Sequence, residues 1–418
     1  MYVVKPKLVR RGVETTGVNG IVLLTLVVLF LYLVLFAVIR YRRSKGRSGE
    51  PVPSIIPPSI PRTPSEKGES DANVPSFDAP TNENESSIRD ASHATMNIAD
   101  VRSLMDERIG FGRHARGGLD GKVFHVTTLS NTGSGSLREA LTMDEPLWIV
   151  FDVEGTIHLD DEEVRCKPFK TIDGRGKRIL IQGHGIRTQT EHVIITDLEF
   201  RRTIDDGIKC RDGHDCWFHH LKMGDNRFPG MELPDGYSHI KDYADGIIDI
   251  THSASNVTVS WCYFYDHYKG FLVGESWFRD PPTTNVTYHH NWFEDINSRS
   301  PLLQGGTAET PNRFHSFNNV RKNVGGFGGA AIDVRPNHSM ALVENDLFID
   351  SGSIGSNWNQ NDDRDTVGYA WKIRNCVRRG GRSISSDRHA SDVFTPDYPY
   401  TLENANALDY LEHETGPR

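Results

Sequence analysis

Apolar and polar residues alternate along most of the chain in short stretches, and the stretches repeat. HVIITDLEFRR from His192, HDCWFHHLKM from His214, NVTVSWCYFYD from Asn256 and NVTYHHNWFED from Asn285 share one plan. RFHSFNNVRK from Arg313, SMALVENDLFID from Ser339 and YAWKIRNCVRRG from Tyr369 continue it. Each unit has β-branched or alternating residues, then a polar residue, then an apolar one. Asn291, Asn319, Asn345 and Asn375 recur at spacings of 28, 26 and 30 residues. A period in that range, with one short strand motif per unit, predicts a solenoid. Propeller blades are longer and lack the repeated Asn. A parallel β-helix explains it, because stacked coils put one amide above another in a hydrogen-bonded ladder. Loops between the strands would carry the variable stretches, where binding and catalytic residues usually lie.

The N-terminal part follows a different pattern. Ile21 to Ile39 is an uninterrupted run without a charge, long enough as a helix to cross a bilayer. No small-residue cleavage site follows it, so the pattern predicts a single-pass anchor rather than a removed signal. Basic residues flank both ends and leave its direction open. Residues 40–95 are rich in Pro, Ser, Glu and Asn and predict a disordered linker. The expected organisation is a basic tail at 1–20, a transmembrane helix at 21–39, the linker at 40–95, an all-β domain at 96–390 and a tail at 391–418.

Charge changes the picture in one respect. The net charge of −9 conceals a basic N-terminus, because residues 1–50 carry nine Lys or Arg against Glu14 and Glu50. The rest is therefore more acidic than the whole, which argues against nucleic-acid binding. Any site for an anionic polymer must be a local basic groove. Five cysteines without a CxxC pair, Cys166, Cys210, Cys216, Cys262 and Cys376, read first as small buried hydrophobes. Sequons at Asn84, Asn256, Asn285 and Asn337 fit an exported glycoprotein. His219-His220 and His289-His290 are adjacent pairs on strands. Alternation points their members to opposite faces, poor geometry for a shared zinc.

The densest candidate chemistry lies between Asp206 and Arg299. Asp206 in IDDGIK, Asp245 and Asp249 in DGIID, Lys269 in HYKG and Arg299 in NSRSP fall on successive units. Asp-Gly pairs are also turn formers, and on residue types alone that reading competes. Three Asp side chains nevertheless make a hard oxygen site for Ca²⁺ with room for a substrate carboxylate. A lysine and an arginine beside it suit an acidic substrate.

The chain resembles the pectate lyase family of polysaccharide lyases, which share a right-handed parallel β-helix. GFGRHARGG from Gly110, GSGSLREAL from Gly133, EPLWIVFDVEGTI from Glu145 and KTIDGRGKRILI from Lys170 carry the resemblance, in order, together with the Asp and Arg motifs. It implies Ca²⁺-dependent β-elimination of de-esterified homogalacturonan by a monomeric enzyme. It assigns the metal to Asp206, Asp245 and Asp249, substrate acid groups to Lys269, and the catalytic base to Arg299. Arginine is an unusual base, since its ordinary pKa lies above about 12. The family's pattern R-x-P-R-x-R reads RSPLLQ here, so Leu302 and Gln304 replace later arginines, Gln304 at a substrate-gripping position. Ile204 stands where a further aspartate is usual, next to Asp205, and His219 replaces the aspartate of a W-x-D-H block. Two readings compete with a pectate lyase: a membrane-anchored carbohydrate-binding β-helix with weak catalysis, and a pectin lyase. The expected location is a membrane, with the domain extracellular or luminal.

Overall fold

In the computed structural model, residues 103–226, 232–233, 236–275, 281–326, 330–355 and 368–418 are described. The anchor expected at 21–39, with the tail before it and the linker after it, lies outside them. Among the described residues no helix is long and apolar enough to cross a membrane.

The described chain is the expected solenoid, with all neighbouring strands of its sheets parallel. One sheet has ten strands, from Lys122–Val126 to Ala370–Arg374. The other strands join into a 15-stranded sheet, because the long strands Ile179–Arg187 and Glu199–Arg211 run round a corner. Glu199–Arg201 pairs with Lys222–Gly224 on one side of that corner, and Ile208–Arg211 pairs with Ile248–Thr251 on the other. Later coils break at the corner, as between Tyr263–Lys269 and Phe271–Val273. Three walls result, wound around one lumen.

Strand periodicity of two puts alternate residues into that lumen. One stacked row runs Ile149, Ile172, Ile195, Phe218, Val259, Tyr288. Another runs Ile181, Phe200, Met223, Phe264, Phe293 and then Arg321 and Phe348. These side chains are almost fully buried and belong to one continuous apolar core apart from Arg321. Cys166, Cys210, Cys216 and Cys262 are buried free thiols and Cys376 is half-buried, as expected of small hydrophobes.

The polar ladder differs from its expected membership. Asn291 Oδ1 accepts from Cys262 N at 3.0 Å, Asn319 Oδ1 from Asn291 N at 3.0 Å, and Asp346 Oδ1 from Asn319 N at 2.8 Å. Register fixes this membership, because Trp292, Val320, Leu347 and Val377 are cross-strand neighbours. Asn345 and Asn375 therefore stand one residue earlier, at the turn. That turn position has positive φ in successive coils, at Asp197, His220, Trp261, His290, Asn318, Asn345 and Asn375. Asn tolerates this conformation better than most residues.

The same turn corrects the histidine geometry. His220 and His290 follow the strand ends with φ of 45° and 52°, so strict alternation no longer holds. His289 Nδ1 and His290 Nδ1 are 2.9 Å apart, and the rings of His219 and His220 are 4.4 Å apart in an edge arrangement. Residues 391–418, expected as a tail, lie against the walls, with Tyr398, Ala405, Leu408 and Leu411 buried. Of the sequon asparagines, Asn285 Nδ2 donates to Asn256 Oδ1 at 3.0 Å in the preceding coil, and Asn84 is outside the described residues.

Candidate active site

The corner between the two joined walls stacks the chemistry-bearing residues. Asp245 N donates to Asp205 O at 3.0 Å and Gly207 N to Gly246 O at 3.2 Å. Ile247 N reaches Gly270 O at 2.7 Å, Gly270 N reaches Ser298 O at 2.9 Å, and Phe271 N reaches Arg299 O at 2.7 Å. Asp206, Asp245, Lys269 and Arg299 thus come from four successive coils at one corner. Asp245 and Asp249 are four residues apart, but they do not share one extended strand. The strand begins only at Ile248, and Asp245 arrives through the corner.

Carboxylates converge there. Ligand oxygens of Asp205, Asp206 and Asp245 lie within 4.8 Å of one another. Asp249 joins from the other side of Gly246, where a Cβ would stand 2.6 Å from both Asp206 Oδ1 and Asp249 Oδ1. Glycine is required at 246 for this close approach. Asp206 Oδ1 accepts from Gly246 N at 2.7 Å and Asp249 Oδ1 from Leu272 N at 3.2 Å. Burial and then the charges of Asp249, Asp205 and Asp245 push the Asp206 carboxyl well above the usual range. Burial and Asp245 raise Asp249 to about 7, against the opposing pull of Arg299 and Leu272 N–H. Crowded, partly dehydrated carboxylates of this kind favour a proton or a bound cation.

Two lysines border the cluster. Lys209 pairs with Asp205, with Glu163 at 3.1 Å and with Asp206 at 3.8 Å. Despite burial, those carboxylates hold its proton more firmly than usual. Lys269 pairs with Asp245 and with Asp242 at 3.1 Å. Beyond it a cleft of about 450 Å³ is lined by His239, Ile240, Lys241, Tyr268, Lys269, Ser298 and Arg299. Arg299 is half-buried with φ of 63°. Gly270 packs against its backbone, where a Cβ would stand 2.5 Å from Arg299 O.

The five main sequence candidates are therefore brought together. Gln304 stands apart from the cleft lining. Its main chain is fixed by Val273 O at 3.0 Å and Asn312 Nδ2 at 3.0 Å. Leu302 is buried beside Leu272 in a cross-strand row that also holds Lys209, Asp249 and Asp333. Lys209, Asp242 and Lys241 were not singled out from sequence, and Asp205 was noted only as the neighbour of Ile204. The signal for Asp205 and Lys209 was in IDDGIK, where Lys209 lies three and four residues from the paired aspartates. Trp217 and His219 belong to another wall. Trp217 Nε1 donates to Ser260 Oγ at 2.8 Å, and His219 bridges Ser260 Oγ and Glu107 at 3.0 and 2.8 Å. The Glu107, His219 and His220 ligand atoms also gather within 4.8 Å. The Arg418 guanidinium already meets both Glu107 oxygens at 3.1 and 3.0 Å, so this cluster is an ion-pair network.

The sequence profile of a family described as "Pectate lyase" matches residues 177–369. A probable pectate lyase A of Neosartorya fischeri is 31% identical over 206 residues, covering 48% of this chain and 58% of its own length. A probable pectate lyase 5 of Arabidopsis thaliana is 33% identical over 258 residues, covering 57% and 61%. The chain thus spans about three fifths of the length of these curated relatives. Among solved structures, a Bacillus pectate lyase in complex with trigalacturonate aligns with a TM-score of 0.56 at 22% identity, covering 74% of this chain and 98% of its own. The major allergen of cedar pollen aligns with a TM-score of 0.61 at 21% identity, covering 78% and 97%. These two likenesses establish the fold.

Proposed function

The chain belongs to the pectate lyase family, and from that premise we propose a Ca²⁺-dependent lyase that cleaves pectate or a related uronate polymer by β-elimination. The observation that carries the reading is the four-coil stack of carboxylates, Lys269 and Arg299 at one corner beside an open cleft. The residues fit a hard cation. Asp206, Asp245 and Asp249, with Asp205 adjacent, supply oxygen donors whose mutual repulsion Lys209, Lys269 and Arg299 offset in part. When bound there, Ca²⁺ would neutralise substrate and protein carboxylates and withdraw electron density from the former.

The chain's own residues do the rest. Lys269 meets the substrate carboxylate and holds it beside Arg299. With one of its own protons first lost to solvent, a loss that the positive charge of Lys269 beside it favours, Arg299 accepts the proton on the carbon next to that carboxylate. The electron pair left behind forms the new carbon–carbon double bond, and the glycosidic bond one carbon further on breaks with the sugar oxygen leaving. Lys269 stabilises the negative charge that develops during this transfer, and a cation held by Asp206, Asp245 and Asp249 would add to that stabilisation. The intact carboxylate set favours an acidic polymer over the methyl-esterified substrate of a pectin lyase. The neighbour's trigalacturonate is the same class of ligand.

Absorbance of the unsaturated product on polygalacturonate and alginate, with and without Ca²⁺, tests the reading. A second reading is a binding protein with weak catalysis, favoured by Leu302, which sets a buried apolar side chain in the row beside Asp249 and Leu272. Binding of the polymer without any product would select it. Anchoring through residues 21–39, with the domain extracellular or luminal, completes the proposal. It rests on the sequence run and is checked by protease protection of the domain in closed vesicles.

A further inference from the structure

Arg321 occupies a lumen position that other coils give to apolar residues. Its cross-strand neighbours are Phe293 and Phe348, and its guanidinium lies 4.9 and 5.6 Å from their ring centroids. It is fully buried. A dehydrated guanidinium is costly unless every donor finds a partner. Here Nη1 is paired with Asp346 Oδ2, Nη2 donates to Ser316 Oγ at 3.1 Å, and Nε donates to Ser300 O at 2.9 Å. Asp346 is itself the end of the Asn ladder and is also fully buried. The charge is therefore held rigidly from one side by the ladder, and its remaining arm reaches the corner of the preceding coil.

That corner carries Arg299. Ser300 immediately follows it, is fully buried, and donates its N–H to Ala331 O at 3.1 Å. We infer that Arg321 is a positioning residue: through Ser300 O it fixes the backbone from which Arg299 projects into the cleft, with Asp346 as its anchor. The inference rests on the proposed role of Arg299 as base. A base must be held close to its productive geometry by partners behind it, and the lumen offers Ser300 O a charged donor from behind. Lumen packing alone would be served by an apolar side chain, as Phe293 and Phe348 serve it in the neighbouring coils.

Arg321→Met alone leaves Asp346 as a lone buried charge and is expected to unfold the domain readily. The informative variant is Arg321→Met with Asp346→Asn. It removes both charges and keeps an oxygen acceptor for Asn319 N–H. The expected result is a thermal midpoint near that of the parent, KM on polygalacturonate within about twofold, and kcat reduced at least ~10-fold. Phe348→Leu loosens the same lumen without touching Ser300 and should leave kcat unchanged. Parent-like kcat in the double variant overturns the inference, and so does an equal loss in Phe348→Leu. If the parent cleaves no uronate polymer, the reading of Arg299 as base fails separately. The positioning is then read from hydrogen exchange of Phe271 N–H, which donates to Arg299 O. Exchange at least ~10-fold faster in the double variant supports it, and unchanged exchange overturns it.

Discussion

Arg299 presents a planar, five-donor head beside Lys269, and a lysine in its place keeps the charge without the fork. Arg299→Lys should lower turnover by roughly 10²–10⁴, the range of general-base catalysis, while polymer binding survives through Lys269. Product absorbance and a pull-down on insoluble pectate measure the two separately. Asp249→Asn should have effects of opposite sign. It removes a cation ligand and raises the Ca²⁺ needed for half-maximal activity. It also removes a carboxylate whose folded pKa is raised to about 7. A raised carboxyl pKa means that the folded state binds the proton more tightly than the unfolded chain. Stability is then lost as pH rises from about 4 towards 7. Without Ca²⁺ at pH 8, thermal or urea unfolding should find the variant more stable by on the order of 2 kcal/mol, and near pH 4 the difference should vanish. Asp206, Asp245, Asp249, Lys269 and Arg299 were legible because motifs and resemblance pointed to the same residues. Asp205 was noted beside Ile204 but not as a member of the carboxylate cluster, because its place beside Asp206 depends on a left-handed backbone at φ of 63°, which adjacent aspartates do not announce.

Among the elements, the repeat was legible and its register was off by one residue in two units. Two separate demands for Asn coincide along this chain. In FNNV, Asn318 serves the left-handed turn and Asn319 the ladder. In ENDL the turn takes Asn345 and the ladder takes Asp346, and in RNCV Asn375 serves the turn alone. Sequence spacing cannot separate them, because a slip of one residue exchanges the lumen for the surface. The two demands have different energetic weight. Asn319→Ala strips acceptors from Asn291 N and Asn291 Nδ2 and leaves the Tyr288 carbonyl without the Asn319 donor. It should cost about 3 kcal/mol, seen as a lower denaturation midpoint. Asn375→Ala loses only the turn preference and should cost about 1 kcal/mol. Equal losses in the two would show that the ladder adds nothing beyond the turn.

Across the whole molecule, Glu344 ties the last coils to the returning C-terminal segment. It accepts from His315 Nε2 at 3.1 Å, Tyr400 Oη at 2.7 Å and Arg374 Nη1 at 3.0 Å. Burial opposes its charge, but these donors outweigh it and hold the carboxyl at about 2. A depressed pKa gives stability that is present above the ordinary carboxylate value and lost as pH falls from about 4.5 towards 2. Glu344→Gln should be less stable at pH 7 by about 2–3 kcal/mol and should lack most of this acid dependence, measured by unfolding midpoints at several pH values. Residues 391–418 read as a tail because their apolar residues have no strand period, yet Tyr398, Leu408 and Leu411 bury themselves against finished walls. The ten-stranded wall ends at Ala370–Arg374, and there Trp371 forms an antiparallel bridge with Arg388, whose guanidinium lies 4.1 Å from the Tyr369 ring centroid. A stack of parallel strands is a template that another chain can extend. A strand segment running in the opposite direction presents that template with the wrong hydrogen-bond spacing. A second copy meeting that wall at Trp371 finds a bridge of the opposite direction there rather than an open parallel edge to extend.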